Sequence, residues 1–402
     1  MRIAYIFEEF PCPSETSALR EIECLRRRGF EIVVLCARRG DDGVGSQVRI
    51  LTPAKRLSRR WLRALGHLLI RRRKRVLGFA AFWLWIAIRS PRRAARILVD
   101  LYALGEFSRV IEAEGIRHVH GYWLGWPAHM AAALSVLTGA SMSMSGHARD
   151  IFTETASLGV LARRAKFIAI CTEQGLHHLD AALGPKRLSK LRLVRHGLLP
   201  EEKTVFEMAR PLASPHIVAV GRLVEKKGFD VLLHAFRRIK AQHDGARLSI
   251  IGDGPQKGTL KALMHQLGLG ESVGFTGWLP NNEVQASIRN ARVLAVPSII
   301  AADGDRDGVP NVILEAFACG TPVVASRLPG ISEAIEHESS GLLATSGDPS
   351  DLAEAIRRVL DDCRLAERVA WGGRRALEER FDAMVNSEEL ATLFKEATGH
   401  PC

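Results

Sequence analysis

Short apolar runs, each followed by a longer stretch with apolar residues at helical spacing, repeat along this chain. Residues 2–7 (Arg-Ile-Ala-Tyr-Ile-Phe) read as a buried strand. A turn over Pro11 to Ser17 follows, where Ser14-Glu15-Thr16-Ser17 caps a helix that runs to Arg28 and closes at Gly29. Glu31 to Cys36 is the next strand. Strand, loop, helix, strand is how a parallel doubly wound sheet of the α/β class begins. The alternation goes on through a helix from Arg92 to Glu114, a strand from Arg117 to Gly121 and a small-residue helix from Gly125 to Thr138. Further strands fall at Ser141 to Ser145, Lys166 to Cys171 and Lys190 to Arg195.

Between Pro200 and Pro215 the periodicity fades, which marks a linker. The pattern then restarts with strands at His216 to Val220 and Leu248 to Ile251, a strand and loop over Val273 to Pro280, and strands at Val293 to Val296, Pro322 to Ser326 and Gly341 to Leu343. Helices enter near Phe229 and Gln256, and helices fill the chain from Pro349 onward. A chain of 402 residues is more than one ordinary core holds. The expected layout is a first domain over 1–199 with an insertion at 55–96, a linker over 200–214, a second domain over 215–380 and a last helix in 381–402.

Composition alters this picture in one place. A hydrophobic share of 47% with 25% charged residues is that of an ordinary globular chain. Seven cysteines, with no C-x-x-C, point to reduced thiols and a cytosolic setting. The N-terminal strand pattern lacks the apolar core of a signal peptide. The net charge of +12, however, comes from one segment. Lys55 to Arg96 holds 14 Lys/Arg and no acid, and outside it 42 basic residues stand against 44 acidic ones. Within that segment Val76 to Ile88 is an apolar run of 13 residues, against the roughly 20 of a membrane-spanning helix. Arg71 to Arg75 before it, and Arg89, Arg92, Arg93 and Arg96 after it, suit anionic lipid headgroups. A buried helical hairpin with a solvated basic edge is the alternative. No nucleic-acid-binding motif accompanies the charge, so no nucleic-acid partner is expected.

The candidate chemistry centres on Asp307-Gly-Val-Pro-Asn-Val-Ile-Leu-Glu315-Ala-Phe-Ala-Cys-Gly320. A polar loop runs into an apolar helix that opens near Pro310 and stops at Gly320 and Pro322. Its free N–H groups suit an anion or sugar oxygens. Glu315, inside an apolar helix, needs a polar partner, and a ribose diol is a good one. Upstream, Arg222 and Lys227 lie on a loop that enters a helix, where two cations suit a diphosphate; Lys226 is a neighbour able to substitute. His118 and His120 point to one face of a strand. They read as a polar rim of the interdomain cleft, or as two ligands of a metal that lacks a third. The loop Asp303-Gly-Asp-Arg-Asp-Gly308 starts like a calcium loop, but Leu314 stands where the bidentate acid belongs, so no metal is expected.

The two acids in the setting D-G-V-P-N-V-I-L-E-A-F-A-C-G-T-P-V-V resemble the signature of the retaining glycosyltransferases of family four. The resemblance extends over nearly the whole chain and is strongest from 216 to 345. It implies the GT-B fold: two Rossmann-like doubly wound parallel-sheet domains facing a central cleft, with the last helix crossing back to the first domain. Where that family usually has Glu, this chain has Asp307, one methylene shorter. The resemblance implies a donor site made by Arg222, Lys227, Gly252, Gly254, Gly308, Val309, Pro310, Asn311 and Glu315. Arg222 and Lys227 would hold the diphosphate, Glu315 the ribose, and Asp307 with the following amides the sugar. Gly146-His147-Ala-Arg-Asp150-Ile-Phe is similar to a family loop whose histidine faces the donor sugar, which makes His147 a candidate; Asp150 either joins it or holds the loop together. Ser14 and Thr16 replace the paired glycines of many relatives, and offer hydroxyls to an acceptor or simply cap the helix. With Asp150 and His120 they make up the expected acceptor side.

The implied activity is transfer of a sugar, with retention, from a nucleoside-diphosphate sugar of UDP or GDP type to a saccharide or lipid-linked acceptor of bacterial surface polysaccharide. No cofactor or metal is expected, and the protein is expected in the cytoplasm, peripherally on the inner face of the membrane through 55–96. Lysine, arginine and helix N–H groups would stabilise the charge growing on the leaving diphosphate. A nucleotide-sugar epimerase on the same fold, or a non-catalytic binding subunit on a membrane assembly, are the alternatives.

Overall fold

The computed structural model describes residues 1–12, 15–40, 48–53, 73–89, 95–96, 100–153, 157–184, 189–203 and 215–399. The chain forms two compact units, Met1–Arg195 with Val385–Cys402, and His196–Met384. Of the expected linker, 204–214 lies outside the described residues; Pro200–Lys203 is a short 3-10 turn.

In the first unit seven strands pair in the order β3-β2-β1-β4-β5-β6-β7. They are β1 (Arg2–Phe10), β2 (Glu31–Arg39), β3 (Arg49–Leu51), β4 (His118–Gly121), β5 (Ser141–Gly146), β6 (Ile168–Ile170) and β7 (Leu191–Leu193). All pairings are parallel. A parallel sheet needs helices on both faces, so its central strands are buried on both sides. Accordingly Ile3, Ala4, Tyr5, Ile6 and Phe7 are all fully buried. Ala4 and Ile6 pack into the core on one face, Ile3, Tyr5 and Phe7 into that on the other. The helix Ala383–Thr398 covers the second face: Leu390 and Phe394 are fully buried there.

The short strand β3, with no clear run of its own, escaped the sequence reading. The basic-flanked helix is Arg73–Arg89, and the segments 54–72 and 90–94 around it lie outside the described residues. This helix rests on the helix Trp126–Thr138, with Phe79 and Ile86 buried and Arg75 donating to the Leu137 carbonyl at 3.1 Å. Leu77, Leu84 and Ile88 remain 74%, 57% and 72% exposed. Their spacing puts them on one stripe of the helix. Among the described residues no helix is long and apolar enough to cross a membrane.

The second unit repeats the winding with six parallel strands in the order β10-β9-β8-β11-β12-β13. They are β8 (His216–Val220), β9 (Arg247–Ile251), β10 (Val273–Gly277), β11 (Val293–Val296), β12 (Val323–Ser326) and β13 (Leu342–Ala344). One core lies on each face of this sheet too. In a doubly wound sheet the connections leave in opposite directions at one point, and loops beyond the carboxyl ends of the strands there part to form a crevice. That point lies between β1 and β4 in the first unit and between β8 and β11 in the second.

Candidate functional site

In the second unit, the loops after β8 and β11 are laced together. The Ile299 amide donates to the Lys226 carbonyl at 2.8 Å, and the Ala302 amide to Glu225 Oε1 at 3.0 Å. This lacing brings two lysines onto two aspartates. Lys227 Nζ lies 2.7 Å from Asp307 Oδ2, and Lys226 Nζ lies 2.9 Å from Asp305 Oδ1 and 3.6 Å from Asp307 Oδ1. The Ser298 hydroxyl donates to Asp307 Oδ2 at 2.7 Å. Asp305, Asp307 and Ser298 are buried. Burial pushes the Asp307 carboxyl up, but Lys227, Lys226 and the hydrogen bonds from Lys227 and Ser298 outweigh it and hold it below the ordinary aspartate value. Since each aspartate already faces an ammonium group, the site is built around fixed cations. Among the described residues no group of three or more His, Cys, Asp or Glu could hold a metal ion.

The other expected donor residues lie in the same unit, on the loops after β8, β9 and β11 and on the helix that follows β11. Arg222 is exposed on the loop after β8. Gly308, Val309 and Pro310 lead into the helix Asn311–Cys319, which Pro310 precedes in extended conformation and Gly320 ends with φ 76°. Glu315 is buried about one turn inside it; Ile313, Leu314, Ala316 and Phe317 around it are core. Burial raises the Cys319 thiol, Arg289 opposes that, and the Glu315 charge adds to it, so Glu315 and Arg289 act on one spot. Gly252 and Gly254 serve the backbone. A Cβ on Gly252 would stand 2.0 Å from the Gly221 carbonyl oxygen, and one on Gly254 would stand 2.5 Å from that of Leu223. Their φ values of 136° and 159° also exclude most side chains. They hold the loop after β9 against the loop that carries Arg222 and Lys227.

Asp305 and Ser298 were missed as site residues. Asp305 sat in a loop that reads as a metal imitation, and Ser298 carries no signal beyond following the strand β11.

In the first unit, His147 follows β5. Its ring centroid lies 4.7 Å from that of Tyr122 and 4.4 Å from that of Trp123. Asp150 is buried, and its two oxygens take the backbone N–H groups of Leu124 and His147, so it holds the loops after β4 and β5 in place. Thr16 opens the first helix and accepts from Arg20 Nη1 at 3.3 Å. Ser14 lies outside the described residues.

His118 and His120 require a correction. They share one face of β4, but that face is under the last helix, and both are fully buried. Phe394 stands edge-on to both rings at 5.3 Å. Their nitrogens interleave with serines of β5: His118 with Ser141 and Ser143 (both 2.7 Å), His120 with Ser143 (2.7 Å) and Ser145 (2.9 Å). The Ser141 hydroxyl spends its proton on a backbone carbonyl, of Ala397 or Arg117. It therefore accepts from His118 Nδ1–H, and the polarity of the whole ladder follows: each Nδ1 donates and each Nε2 accepts. Burial lowers His118 to about 3, with Lys166 assisting, and burial with the neighbouring His118 holds His120 well below its ordinary value. His120 thus has no atom left for an acceptor.

Comparison with known proteins bears on the second unit first. Residues 200–376 match the family model described as Glycosyl transferases group 1. That segment is a group 1 glycosyltransferase domain. The group 1 domain contains every residue of the lysine–aspartate cluster. Over nearly its whole length the chain is similar to the putative colanic acid biosynthesis glycosyltransferase WcaL of Escherichia coli K12, with 29% identity over 98% of this chain and 100% of that protein. It is 34% identical to the amylovoran biosynthesis glycosyltransferase AmsK of Erwinia amylovora over 51% of each chain. Among solved structures it is similar to Anabaena Alr3699/HepE in complex with UDP and glucose, with a TM-score of 0.74 and 16% identity over 98% of this chain and all of that one. Sucrose-phosphate synthase from Thermosynechococcus elongatus gives the same TM-score at 19% identity over 99% of both. At these identities the likeness speaks to the fold, which is GT-B.

Proposed function

We propose that this chain moves a sugar, with retention of configuration, from a UDP- or GDP-sugar to a hydroxyl of a saccharide or lipid-linked acceptor in bacterial surface polysaccharide synthesis. The observation that carries this is the Lys226/Lys227–Asp305/Asp307 cluster at the switch point of the group 1 domain. Negative charge grows on the diphosphate as the anomeric bond breaks. Asp307 holds the Lys227 ammonium group oriented before that happens, and a preorganised cation stabilises the transition state without the cost of turning to meet it. Arg222, exposed on the same loop, adds a second cation for the phosphates; Glu315 takes the ribose, Asp307 and the amides from Gly308 to Asn311 the sugar, and no metal takes part. His147 meets a sugar hydroxyl at the carboxyl edge of the first sheet. The names of the relatives WcaL and AmsK support a polysaccharide product, and the HepE complex supports a nucleotide-sugar donor.

The same reading places the protein in the cytoplasm, on the inner face of the membrane. In this reading the exposed stripe Leu77, Leu84 and Ile88 lies in the bilayer interface, and the basic sequence of 55–96 favours anionic lipid. Sedimentation with vesicles of anionic and of zwitterionic lipid checks this: equal binding to both at low salt would remove it.

Thermal unfolding with a panel of nucleotide sugars tests the main reading. A donor at 100 times its Kd adds about 2.7 kcal/mol to the stability of the unit that binds it. Stabilisation by none would end the proposal. Product analysis without acceptor then separates transfer from epimerisation, since a new nucleotide sugar points to an epimerase.

A further inference from the structure

At the switch point of the first sheet, the loop after β1 and the loop after β4 bring Glu15 against Trp123. The Trp123 indole hydrogen-bonds the Glu15 carboxyl group, and its half-buried ring lies against His147. Tyr122 packs on the same imidazole and donates to Ser17 Oγ at 3.2 Å. The other oxygen of Glu15, Oε2, is turned away from solvent and meets no hydrogen-bond partner among the described residues. A buried carboxyl oxygen left in that state costs on the order of 1–3 kcal/mol.

Burial raises the Glu15 carboxyl to about 7; the indole opposes this, and Glu9 and Glu8 reinforce it. The two protonation states are therefore close in free energy near neutral pH. As a carboxylate, Oε2 lacks a donor; as an acid, it lacks an acceptor. A hydroxyl group supplies either. The last torsion of a glutamate is broad, so turning the carboxyl to present Oε2 costs little. Charge narrows the choice of ligand further. Glu8 and Glu9 on β1, partly offset by Arg38 and Arg96, and Glu21 on the first helix share this end of the unit, with Tyr122, His147, Cys171 and the buried Arg20, which donates to Thr16, among the other charged or titratable neighbours. Such a setting disfavours a diphosphate. A neutral sugar ring fits, with a hydroxyl to the carboxyl group and a C–H face to the indole.

We infer that Glu15 and Trp123 form the subsite that receives a hydroxyl of the acceptor saccharide. This deepens the glycosyl-transfer reading and rests on it for the word acceptor; the sugar site itself is testable alone.

The intact protein and the variants Glu15→Gln and Trp123→Phe are titrated with octyl glucoside, octyl galactoside and octyl mannoside below micelle formation. Saturation-transfer NMR and tryptophan fluorescence report binding, and stabilisation by UDP and GDP is measured alongside. The expected result is saturable binding of at least one glycoside to the wild type, with a Kd that changes across pH 7. Glu15→Gln raises that Kd about tenfold, the size of one lost hydrogen bond to a charged group, and flattens its pH dependence. Trp123→Phe removes the fluorescence response, and nucleotide stabilisation stays at the wild-type value in both variants. Saturation by no glycoside, or wild-type Kd and pH dependence in Glu15→Gln, overturns the inference. If glycosides bind as described but no nucleotide or nucleotide sugar stabilises the wild type, the sugar site stands and the transfer reading falls.

Discussion

At the switch point of the second sheet two lysines face two buried aspartates; at that of the first sheet a glutamate faces an indole, and a ladder of neutral imidazoles and serines runs behind it. The winding of the two sheets is the same, and the difference lies in what their loops carry. Charge is kept in the second unit by pairing, since a buried aspartate survives ionised only beside its lysines. In the first unit, burial without a countercharge pushes groups toward neutrality. Glu15 and Glu21 both rise to about 7, chiefly through burial, while His118 falls to about 3. The paired lysines and aspartates of the second unit suit an anionic ligand, and the neutral groups of the first unit suit an uncharged, hydroxyl-rich one.

The largest effect is expected from Lys227→Ala. It removes the cation nearest Asp307 and should lower the rate of transfer a hundredfold to a thousandfold, or about 2.7–4 kcal/mol. Lys226→Ala, whose closer partner is Asp305, should cost less. Steady-state kinetics of the two decide it, and a larger loss in Lys226→Ala would reverse the assignment.

Next comes Gly330→Ala. A Cβ there would stand 2.8 Å from Gly308 Cα and 3.1 Å from the Asp307 carbonyl oxygen, both backbone atoms that can yield only by moving the site loop. A loss of about 1–3 kcal/mol in unfolding free energy is expected, with weaker nucleotide stabilisation. At Gly274 a Cβ meets nothing within 4 Å, and Gly274→Ala serves as the control. Equal behaviour of the two would show that the loop does not need this contact.

The smallest effect concerns pH. Below 6.5 the unfolded chain takes up protons on His118 and His120 that the folded unit refuses, so stability falls with pH by about 1.4 kcal/mol per unit for each group. Between 7 and 4.5 the folded unit takes up protons on Glu15 and Glu21 that the unfolded chain does not, which gains the same amount each. Two gains set against two losses oppose one another across this window and flatten the pH dependence of the first unit toward a plateau. Glu21→Gln deletes one gain and should tilt that plateau by about 1.4 kcal/mol per pH unit. Denaturant titrations at several pH values measure this; a plateau that stays level in the variant would mean that Glu21 is ordinary.

Much of the fold was legible because a parallel sheet buries its strands on both faces and so writes them as continuous apolar runs. Ile3 to Phe7, His216 to Val220 and Val293 to Val296 were all plain on that basis. The three-residue strand β3, Arg49–Leu51, was not, since a partly exposed edge leaves too little apolar pattern. Of the candidate site, Lys227 and Asp307 are 80 positions apart in the chain and meet at 2.7 Å. Their residue types suggested a shared task, but the pairing itself depends on two loops being laced side by side. The role of Lys226 in bridging Asp305 and Asp307 was hidden for the same reason.

His118 and His120 show where periodicity stops being informative. Alternation told that the two rings share a face, and it could not tell that a helix some 270 residues later, carrying Phe394 and Ala397, closes over that face. By itself the order of residues determined what is local: which segments are strands or helices, where a helix mouth offers free N–H groups, and which residues can carry charge. Tertiary structure alone decided which of those groups lose their water. Desolvation and countercharge come from distant segments folding together, and they separate the ionised Lys227–Asp307 pair from the neutral histidines of the first unit.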